Sequence, residues 1–407
     1  PFQFGYYPQD ESPSRSLGCH CPICQAEFKR QMQEKYVTVA ALNQAWGTEL
    51  KSFDEIELPK GMKKSVRFCD WQEFRRWSHL DFAKFVYDTL KENDPNHMVV
   101  WSIPFWGGAN DVAAWWDFPQ CTDVLMRHGI GYRTGAYRIH MLRDIAEWSG
   151  KPGSALCMPP DYNPGYVQMS FIMDTPRTGL SHVCLAGPDA PTYQGTADPT
   201  KDWQRREPGY TVSKSINNVM YQLGDLYLES KQRDPEVGLY ASDRTLLING
   251  TNRNELNGIL LMLGDLNVDF RIFSEHNLGE LSRFPAIIVG QCSRCVSDEI
   301  AAKFRDYVAD GGNLVMFQGA FAADWHNQDA GSPGFGFDEV IGSTERETAS
   351  RTGAMACDSA AAGDALTNLP EQAPVAGEVS IREPAEGVRV IGSLADGEPL
   401  MTLHDYG

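Results

Sequence analysis

The sequence predicts an α/β protein, in which strands and helices alternate along the chain. Before residue 190, short apolar runs of strand composition are separated by longer stretches of helical periodicity, and a second alternation begins near residue 244. Strands that are linked through helices at this spacing are typical of parallel βαβ units. The first alternation fits either a doubly wound sheet or the second half of an eight-stranded barrel, and the pattern alone does not distinguish them.

Five strands are predicted in the first alternation. In chain order they are FQFGYY (2–7), MVVWSIPF (98–105), CTDVLMRHG (121–129), SALCMPP (154–160) and SHVCLAG (181–187). Apolar residues recur at helical spacing from Pro22 onward, and a second helix from Val39 to Trp46 is closed by Gly47, a typical helix terminator. Further helices are expected from Trp71 to Asn93 and from Tyr137 to Trp148.

The second alternation predicts a small flavodoxin-like or doubly wound domain. Its strands are expected at RTLLING (244–250), VDFRIF (268–273), FPAIIVG (284–290) and GGNLVMF (311–317), with helices over 252–266 and 297–309. Beyond about residue 330 the chain is rich in Ala, Gly, Ser and Glu, and the pieces GEVSI and VRVIGSL have strand composition. A β-rich region is therefore expected at the end of the chain.

Composition limits the classes of function. The 407-residue chain is 42% hydrophobic and 22% charged, as in globular proteins, and its formal net charge is -18. This excess of acidic residues disfavours binding to nucleic acid or to an anionic membrane, because both attract Lys and Arg. No apolar run approaches the ~18 residues needed to cross a bilayer. A neutral substrate such as a sugar is compatible with this charge.

The ends of the chain and its cysteines bear on localisation. The chain starts at Pro1 without Met, and both termini interrupt an apolar pattern, so a fragment of a longer chain is expected. Ten cysteines in 407 residues are too few and too irregular for a disulfide framework. A cytoplasmic location is the favoured expectation.

Three cysteines in SLGCHCPICQAEF (16–28) have C-x-C-x-x-C spacing; they are Cys19, Cys21 and Cys24. Thiolates this close can bind one tetrahedral zinc ion, at Zn–S distances of about 2.3 Å. Three reduced thiols in a turn, or a redox pair of Cys21 and Cys24, are the alternatives. A closed zinc site needs four ligands. The candidates for the fourth within this chain are Cys69 and the Cys292/Cys295 pair.

Asp10 and Glu11 follow the first predicted strand. In a β/α barrel, residues at the C-terminal ends of the strands line the active site. A glycoside hydrolase needs one carboxylic acid as general acid and a second carboxylate as nucleophile or base, about 5–5.5 Å or about 6.5–9.5 Å away. An acidic pair after a strand is also typical of an ordinary turn. Aromatic residues such as Trp101 and Tyr162 would suit stacking on sugar rings.

The order of these features resembles one family. A strand, an acidic pair, C-x-C-x-x-C, a helical segment that ends in L-N-x-A-W-G and a long aromatic helix are similar to the family 42 beta-galactosidases of glycoside hydrolase clan A. The matching residues after the cysteines are Phe28, Tyr36, Leu42, Asn43, Ala45, Trp46 and Gly47. The resemblance spans nearly the whole chain, and it implies a glycoside hydrolase that acts on beta-linked galactosides or related glycosides.

The resemblance also implies the domain organisation. Residues 1–235 would be the C-terminal half of a (β/α)8 TIM barrel, entered at its fourth strand. Residues 236–345 would be a trimerisation domain that resembles class I glutamine amidotransferases, and 346–407 a truncated β-rich extension. The second domain lacks the Gly-x-Cys-x-Gly turn of true amidotransferases, so amidase activity is not expected. A homotrimer, a carbohydrate substrate and a structural zinc ion are implied, with the fourth zinc ligand upstream of Pro1.

Only one of the family's two catalytic residues has a direct counterpart in this sequence. Glu11 aligns with the family's general acid/base, and Asp10 stands where the family has Asn. The family's nucleophile is a Glu after the seventh strand, but this sequence has Cys157 or Met158 there, and the nearest carboxylate is Asp161. Asp161 is therefore the expected nucleophile or base. The expected substrate-binding residues are Asp10, Trp101 and Tyr162.

Two alternatives stay open at this position. A carboxylate from elsewhere, such as Asp123 or Asp189, could replace Asp161. Alternatively, the barrel has lost the retaining mechanism, and the protein is a non-catalytic carbohydrate-binding or assembly relative of the family. Asp161 would then be an ordinary turn residue before the sequence Tyr162-Asn163-Pro164-Gly165.

Overall fold

The computed structural model forms two compact units. It describes residues 5–8, 19–59, 65–103, 115–129, 132–157, 181–184, 218–219, 221–226, 229, 233–249, 253–366 and 368–406. The first unit comprises Pro1–Gly61, Asp70–Pro235 and Asn249–Ile272, and the second comprises Met62–Cys69, Glu236–Ile248 and Phe273–Gly407. Among the helices described, none combines the length and the apolar composition that a membrane-spanning helix needs.

The first unit contains a five-stranded parallel sheet. Its strands are β1 (Gly5–Tyr6), β2 (Met98–Ile103), β3 (Val124–Gly129), β4 (Gly153–Cys157) and β5 (Ser181–Cys184). Their order is β1-β2-β3-β4-β5, and every neighbouring pair is parallel. All five overlap the predicted strands. Because each strand neighbours its predecessor in the chain, the sheet winds in one direction as in a β/α barrel, whereas a doubly wound sheet reverses at a switch point.

Four helices accompany this sheet: α1 (Pro22–Tyr36), α2 (Val39–Trp46), α3 (Val66–Asn93) and α4 (Tyr132–Ser149). The bounds predicted for α2 are confirmed. The Thr38 hydroxyl accepts the N–H of Ala41 at its start, and Gly47, with φ 67°, ends it in the left-handed conformation that glycine adopts readily. α3 begins five residues before the predicted Trp71, because the Ser65 hydroxyl accepts the N–H of Phe68 at 3.2 Å.

An apolar cluster joins α1 and α2 to the first turns of α3. Its buried members are Phe28, Met32, Leu42, Ile56, Leu58, Trp71 and Phe74. The rings of Trp71 and Phe74 stack with centroids 5.3 Å apart, and Phe28 meets both rings edge-on. Full burial of a Leu or Phe side chain contributes about 1.5–3 kcal/mol. This cluster therefore fixes the segment that carries the cysteines onto α3.

The second alternation also forms an α/β arrangement. Its strands are β6 (Val237–Tyr240), β7 (Phe270–Phe273), β8 (Ala286–Val289) and β9 (Asn313–Met316), and its helices are α5 (Asp243–Asn249), α6 (Arg253–Asp265) and α7 (Asp298–Ala309). The sheet order is β7-β6-β8-β9, and β6, β8 and β9 are parallel. The order 2-1-3-4 is that of flavodoxin-like sheets.

The predicted strand over 244–250 is wrong. Residues 244–249 lie in helix α5, which begins at Asp243, and the first strand of this region is β6, which ends at Tyr240. The helix begins here because its free N–H groups find acceptors: the Ser242 hydroxyl accepts the N–H of Thr245 at 3.0 Å, and the Glu275 carboxylate accepts those of Asp243 and Arg244 at 3.0 and 2.7 Å.

The last part of the chain is an antiparallel sheet. After helix α8 (Phe337–Ile341) come β10 (Ser343–Cys357), the short helix α9 (Ser359–Ala362), β11 (Gln372–Pro384), β12 (Arg389–Leu394) and β13 (Pro399–Leu403). Their order is β11-β10-β12-β13, and the pairs are antiparallel. The pieces GEVSI and VRVIGSL lie in β11 and β12, so the expected β-rich region is confirmed.

Candidate active site and metal centre

Strands β1 and β4 lead to the two predicted catalytic carboxylates. β1 ends at Tyr6 and β4 at Cys157, so Glu11 and Asp161 follow the carboxyl ends of two strands of one parallel sheet. This edge is where β/α-barrel enzymes carry their active sites. The predicted residues that lie outside the described part of the chain are Asp10, Glu11, Asp161, Tyr162 and Asp189.

Asp123, one of the alternative carboxylates, lies at the opposite edge of the sheet. It precedes β3, and its oxygens accept hydrogen bonds from the Tyr87 hydroxyl at 2.8 Å, the Lys91 ammonium at 3.0 Å and the N–H of Val99 at 2.9 Å. Burial raises the pKa of Asp123, but these donors outweigh burial and hold the pKa below its usual value. Asp123 therefore ties α3 to the sheet, and its assignment as a replacement for Asp161 is wrong.

Trp101, a predicted substrate-binding residue, lies within β2. Its side chain is completely buried, and its ring meets those of Phe82 and Phe118 at centroid distances of 6.4 and 6.2 Å. Phe82 belongs to α3, so the ring of Trp101 lies in the layer where the helix packs on the sheet. This position favours a packing role, and the assignment of Trp101 to substrate binding stays a prediction.

The three clustered cysteines meet at the start of α1. The sulfur atoms of Cys19, Cys21 and Cys24 all lie within 4.8 Å of one another. Cys21 caps the helix: its Sγ accepts the N–H of Cys24 at 3.5 Å, and Pro22 follows in the first turn, where its missing N–H is not needed. Tetrahedral zinc with Zn–S distances of about 2.3 Å places its sulfurs about 3.8 Å apart. The trio is close to that spacing.

The surroundings of Cys21 and Cys24 shift the pKa values of the two thiols in opposite directions. The N–H of Cys24, and then hydrogen bonds with the Cys19 and Cys24 thiols, lower the pKa of Cys21 to about 7. Burial, and then its two thiol neighbours, raise the pKa of Cys24 to about 12. Cys21 is therefore partly thiolate near neutral pH, and thiolate is the form that binds soft metal ions.

The other thiols considered as a fourth ligand have different partners. The Sγ of Cys69 donates to the carbonyl of His326 at 3.3 Å, that of Cys292 to the carbonyl of Tyr240 at 3.5 Å, and that of Cys295 to Oδ1 of Asn327 at 3.5 Å. All three are completely buried, and burial raises the pKa of Cys295 to about 11. Such thiols behave as small apolar residues, so these positions favour packing.

Asp70 organises the helices that follow the cysteines. Its buried carboxylate accepts hydrogen bonds from the Lys35 ammonium at 2.7 Å, the Tyr36 hydroxyl at 2.7 Å and Nε1 of Trp46 at 2.6 Å. Burial, and then the charge of Asp70, raise the pKa of Tyr36 above its usual value, so its hydroxyl remains a donor. Tyr36 and Trp46 are motif residues, and they therefore act in joining α1 and α2 to α3.

Asn43, another motif residue, closes the turn after α2. Its Oδ1 accepts the N–H of Leu50 at 2.9 Å and the Thr48 hydroxyl at 2.8 Å, and its Nδ2 donates to the carbonyl of Leu50 at 2.8 Å. An amide that offers both donor and acceptor to one turn cannot be replaced by Asp without losing a donor. The motif thus fixes the local fold beside the cysteines.

Sequence reasoning missed Asp70, because its partners are 24 to 35 residues away in the chain. One signal was available. Asp70 stands directly between Cys69 and Trp71 in α3, and both neighbours are buried. A carboxylate in such a place needs hydrogen-bond donors, since a buried, unpaired charge is costly.

Comparisons with known proteins connect this arrangement to one family. A family model described as beta-galactosidase, Glyco_hydro_42, matches residues 6–179. The beta-galactosidase BglY of Alicyclobacillus acidocaldarius is 32% identical over 116 residues, which make up 26% of this chain and 16% of the relative. A beta-galactosidase of Thermus thermophilus is 46% identical over 92 residues, or 21% of this chain and 14% of the relative.

Solved structures of beta-galactosidases share the fold. The enzyme from Rahnella sp. R3 superposes with a TM-score of 0.80 at 16% identity, over 99% of this chain and 64% of that one. The enzyme from Bacillus circulans sp. alkalophilus gives a TM-score of 0.76 at 17% identity, over 96% of this chain and 63% of that one. The chain thus spans less than two thirds of the length of these relatives.

Proposed function

We propose that this chain, which matches the family 42 beta-galactosidase model over residues 6–179, is a member of that family and hydrolyses beta-linked galactosides by two-carboxylate acid/base catalysis. The observation that carries the proposal is the family match over residues 6–179, which includes Glu11, the cysteine trio and Asp161. The one-directional sheet order supports it, since β1 and β4, the strands that precede Glu11 and Asp161 in the sequence, end at the same edge of the sheet. The non-catalytic alternative is not favoured, because several of the relatives matched are beta-galactosidases.

The proposed reaction proceeds in two steps. Asp161 attacks the anomeric carbon while Glu11 gives its proton to the departing glycosidic oxygen, which breaks the glycosidic bond and forms a glycosyl ester. Glu11, now a carboxylate, takes a proton from water, and the water oxygen displaces Asp161 and releases the sugar. This route needs the carboxyl groups about 5–5.5 Å apart. Asp10 and Tyr162 are proposed to contact the sugar.

A panel of p-nitrophenyl glycosides tests this proposal on the full-length protein. The β-galactoside is expected to be cleaved with the highest kcat/KM, at least about tenfold above the β-glucoside and the α-galactoside, because buried hydrogen-bonding groups reject a misplaced hydroxyl. The α-galactoside is the matched control, with the same sugar and leaving group. Release of nitrophenol from no glycoside in the panel would overturn the proposal in favour of a binding protein.

We also propose a structural zinc ion at Cys19, Cys21 and Cys24. The mutual sulfur distances of at most 4.8 Å and the lowered pKa of Cys21 support this assignment, since thiolates at such spacing are the usual ligands of closed zinc sites. When bound, the ion would supply no chemistry to the reaction; it would crosslink Cys19, Cys21 and Cys24 at the start of α1. The chain's own residues hold this segment through the cap at Cys21 and the apolar contacts of α1.

The zinc proposal predicts a metal content. One zinc per full-length chain is expected by elemental mass spectrometry, and Cys21→Ser is expected to lose most of it, because a serine hydroxyl is a poor zinc ligand. The matched control is Cys357→Ser in β10, a free and half-buried cysteine outside the trio, which should keep the metal. Less than one zinc per chain, with no loss on Cys21→Ser, would remove the proposed site.

We also propose an oligomeric state and a cellular location for this protein. A homotrimer through an amidotransferase-like second domain, residues 236–345, is supported by the flavodoxin-like strand order and by two exposed apolar side chains at the edge of the described sheet. Val315 in β9 is 46% exposed, and Phe317, directly after β9, is 40% exposed. A cytoplasmic location is supported by the eight cysteines whose side chains are described, which are free thiols, as is typical of reducing compartments.

A further inference from the structure

The five strands of the first sheet, as the structure describes them, contain three basic residues and no acidic residue. Arg127 and His128 lie near the end of β3, and His182 is the second residue of β5. The strands of a parallel sheet that is covered on both faces are usually almost continuously apolar. A basic residue within such a strand is therefore unusual, and in a β/α barrel the carboxyl ends of the strands line the active site.

The two faces of this sheet differ in burial. Trp101 and Leu125 are completely buried, and they share one face because they are partners in the β2–β3 register. Helix α3 covers this face, since the ring of Trp101 meets a phenylalanine of α3 at a centroid distance of 6.4 Å. Val100, Val124 and Met126 lie on the other face, called the open face below, and each of them is half-buried.

The register places position 128 on the open face. Residues two apart in a strand lie on the same face, so His128 follows Met126 there, whereas Arg127 lies on the helix-covered face. His182 shares the helix-covered face, because Arg127 and His182 are both register partners of Ala155. Of the three basic residues in these strands, His128 is therefore the one on the open face.

His128 belongs to the last row of the open face. Its register partner in β4 is Leu156, whose partner in β5 is Val183. β3 ends one residue after His128, at Gly129, and β4 ends one residue after Leu156, at Cys157. The inward-facing residues of a β/α barrel form such layers across the strands. Of the three residues that the structure describes in this row, two are aliphatic, so hydrogen bonding from the row depends on His128.

Position 128 lies between the strands that lead to the two proposed catalytic carboxylates. β3 neighbours β4, which precedes Asp161 in the sequence, and it is two strands away from β1, which precedes Glu11. Neighbouring strands are about 4.7–4.9 Å apart, so β3 is about 5 Å from β4 and about 10 Å from β1. The ends of β2 and β3 therefore lie beneath a sugar that both carboxylates reach.

The chemistry of an imidazole suits a sugar hydroxyl. A neutral imidazole has one donor and one acceptor nitrogen, and a hydroxyl group likewise donates and accepts. A site that hydrogen-bonds one hydroxyl of its substrate discriminates against analogues that lack this hydroxyl, because its own polar group is then left unpaired. One histidine in an otherwise aliphatic row would therefore select a sugar by one of its hydroxyl groups.

We propose that His128 binds one hydroxyl group of the galactosyl ring and thereby contributes to substrate specificity, an inference that rests on the proposed glycosidase function. Its role is to hold the ring in place. The proton transfers stay with Glu11, and the attack on the anomeric carbon stays with Asp161.

Steady-state kinetics of the full-length His128→Phe protein test the proposal, with p-nitrophenyl β-galactoside and its 2-, 3-, 4- and 6-deoxy analogues as substrates. Phenylalanine keeps a ring but cannot form the hydrogen bond. For the β-galactoside, kcat/KM is expected to fall by about 10–100-fold, whereas the analogue that lacks the bonded hydroxyl should lose almost nothing. The preference for the β-galactoside over that analogue should fall by the same factor. His128→Gln, whose amide can donate and accept, should lose less than His128→Phe.

His182→Phe is the matched control, because it is the same substitution in the same sheet but on the helix-covered face; it should leave the preference among the substrates unchanged. Thermal melting verifies that each variant is folded, and His128→Ala takes the place of His128→Phe if the latter is not. An equal loss on every substrate, or no loss, would overturn the role of His128 and leave the glycosidase proposal standing. Failure of the unsubstituted protein to cleave any of these substrates would overturn both.

Discussion

Replacing Glu11 with glutamine is expected to lower kcat/KM for p-nitrophenyl β-galactoside by a factor of about 10²–10⁴. Glutamine keeps the shape of the side chain but cannot give a proton to the departing oxygen or take one from water. The loss should therefore appear in the chemical step, with little change in sugar binding. Initial rates over a range of substrate concentrations on the full-length protein separate kcat from KM.

The leaving group distinguishes the two proposed carboxylates. A 2,4-dinitrophenyl β-galactoside releases a phenolate that needs no protonation, so Glu11→Gln should form the glycosyl ester from it almost normally, as a burst of dinitrophenol. Asp161→Asn removes the attacking group and should abolish the burst. Glu34→Gln, on the exposed face of α1, is the matched control and should keep normal rates. Unchanged turnover by Glu11→Gln with both substrates would disprove the assigned role.

Replacing Asp70 with asparagine is expected to lower the free energy of unfolding by about 2–4 kcal/mol. The amide can accept fewer hydrogen bonds than the carboxylate and brings two donors of its own. Tyr36 and Trp46 would then compete for one neutral oxygen, and Lys35 would lose its buried counter-charge. Urea denaturation, followed by tryptophan fluorescence, measures the change.

A neighbouring carboxylate provides the control for this substitution. Glu73 accepts the same Lys35 ammonium at 2.8 Å, but both side chains are about one-third exposed. Solvent-exposed ion pairs contribute about 0–1 kcal/mol, so Glu73→Gln should cost no more than that. If Asp70→Asn proves as mild as Glu73→Gln, the buried carboxylate is not what joins the three helices.

The regular elements of this chain could be predicted because their patterns are local. Apolar periodicity located all five strands of the first sheet, and the Thr38 and Gly47 signals gave the ends of α2. The predicted strand over 244–250 failed for a long-range reason. Glu275 caps α5 from 31 to 32 residues away in the chain. The sequence of α5 itself therefore contains no signal that its first N–H groups will find an acceptor.

In the candidate site, too, the features that depend on local sequence could be predicted, and those that depend on long-range contacts could not. The spacing of Cys19, Cys21 and Cys24 was enough to predict that their sulfurs converge, because a short loop brings them together. Asp123 and Trp101 could not be assigned from sequence, since their roles depend on which edge of the sheet a carboxylate occupies and on which layer a ring enters. These properties arise only when the sheet is folded, so they cannot be predicted from the residues that flank Asp123 and Trp101 in the sequence.

The single carboxylate of Asp70 has a consequence for how this chain can vary. Three side chains depend on one acceptor, so the effects of substitutions at Tyr36, Trp46 and Asp70 should be strongly epistatic: once Asp70 is lost, a further change of Tyr36 costs less than it does alone. A tolerated change at one of these positions then demands a partner change at another. Tyr36, Trp46 and Asp70 should therefore tolerate substitution together more readily than one at a time.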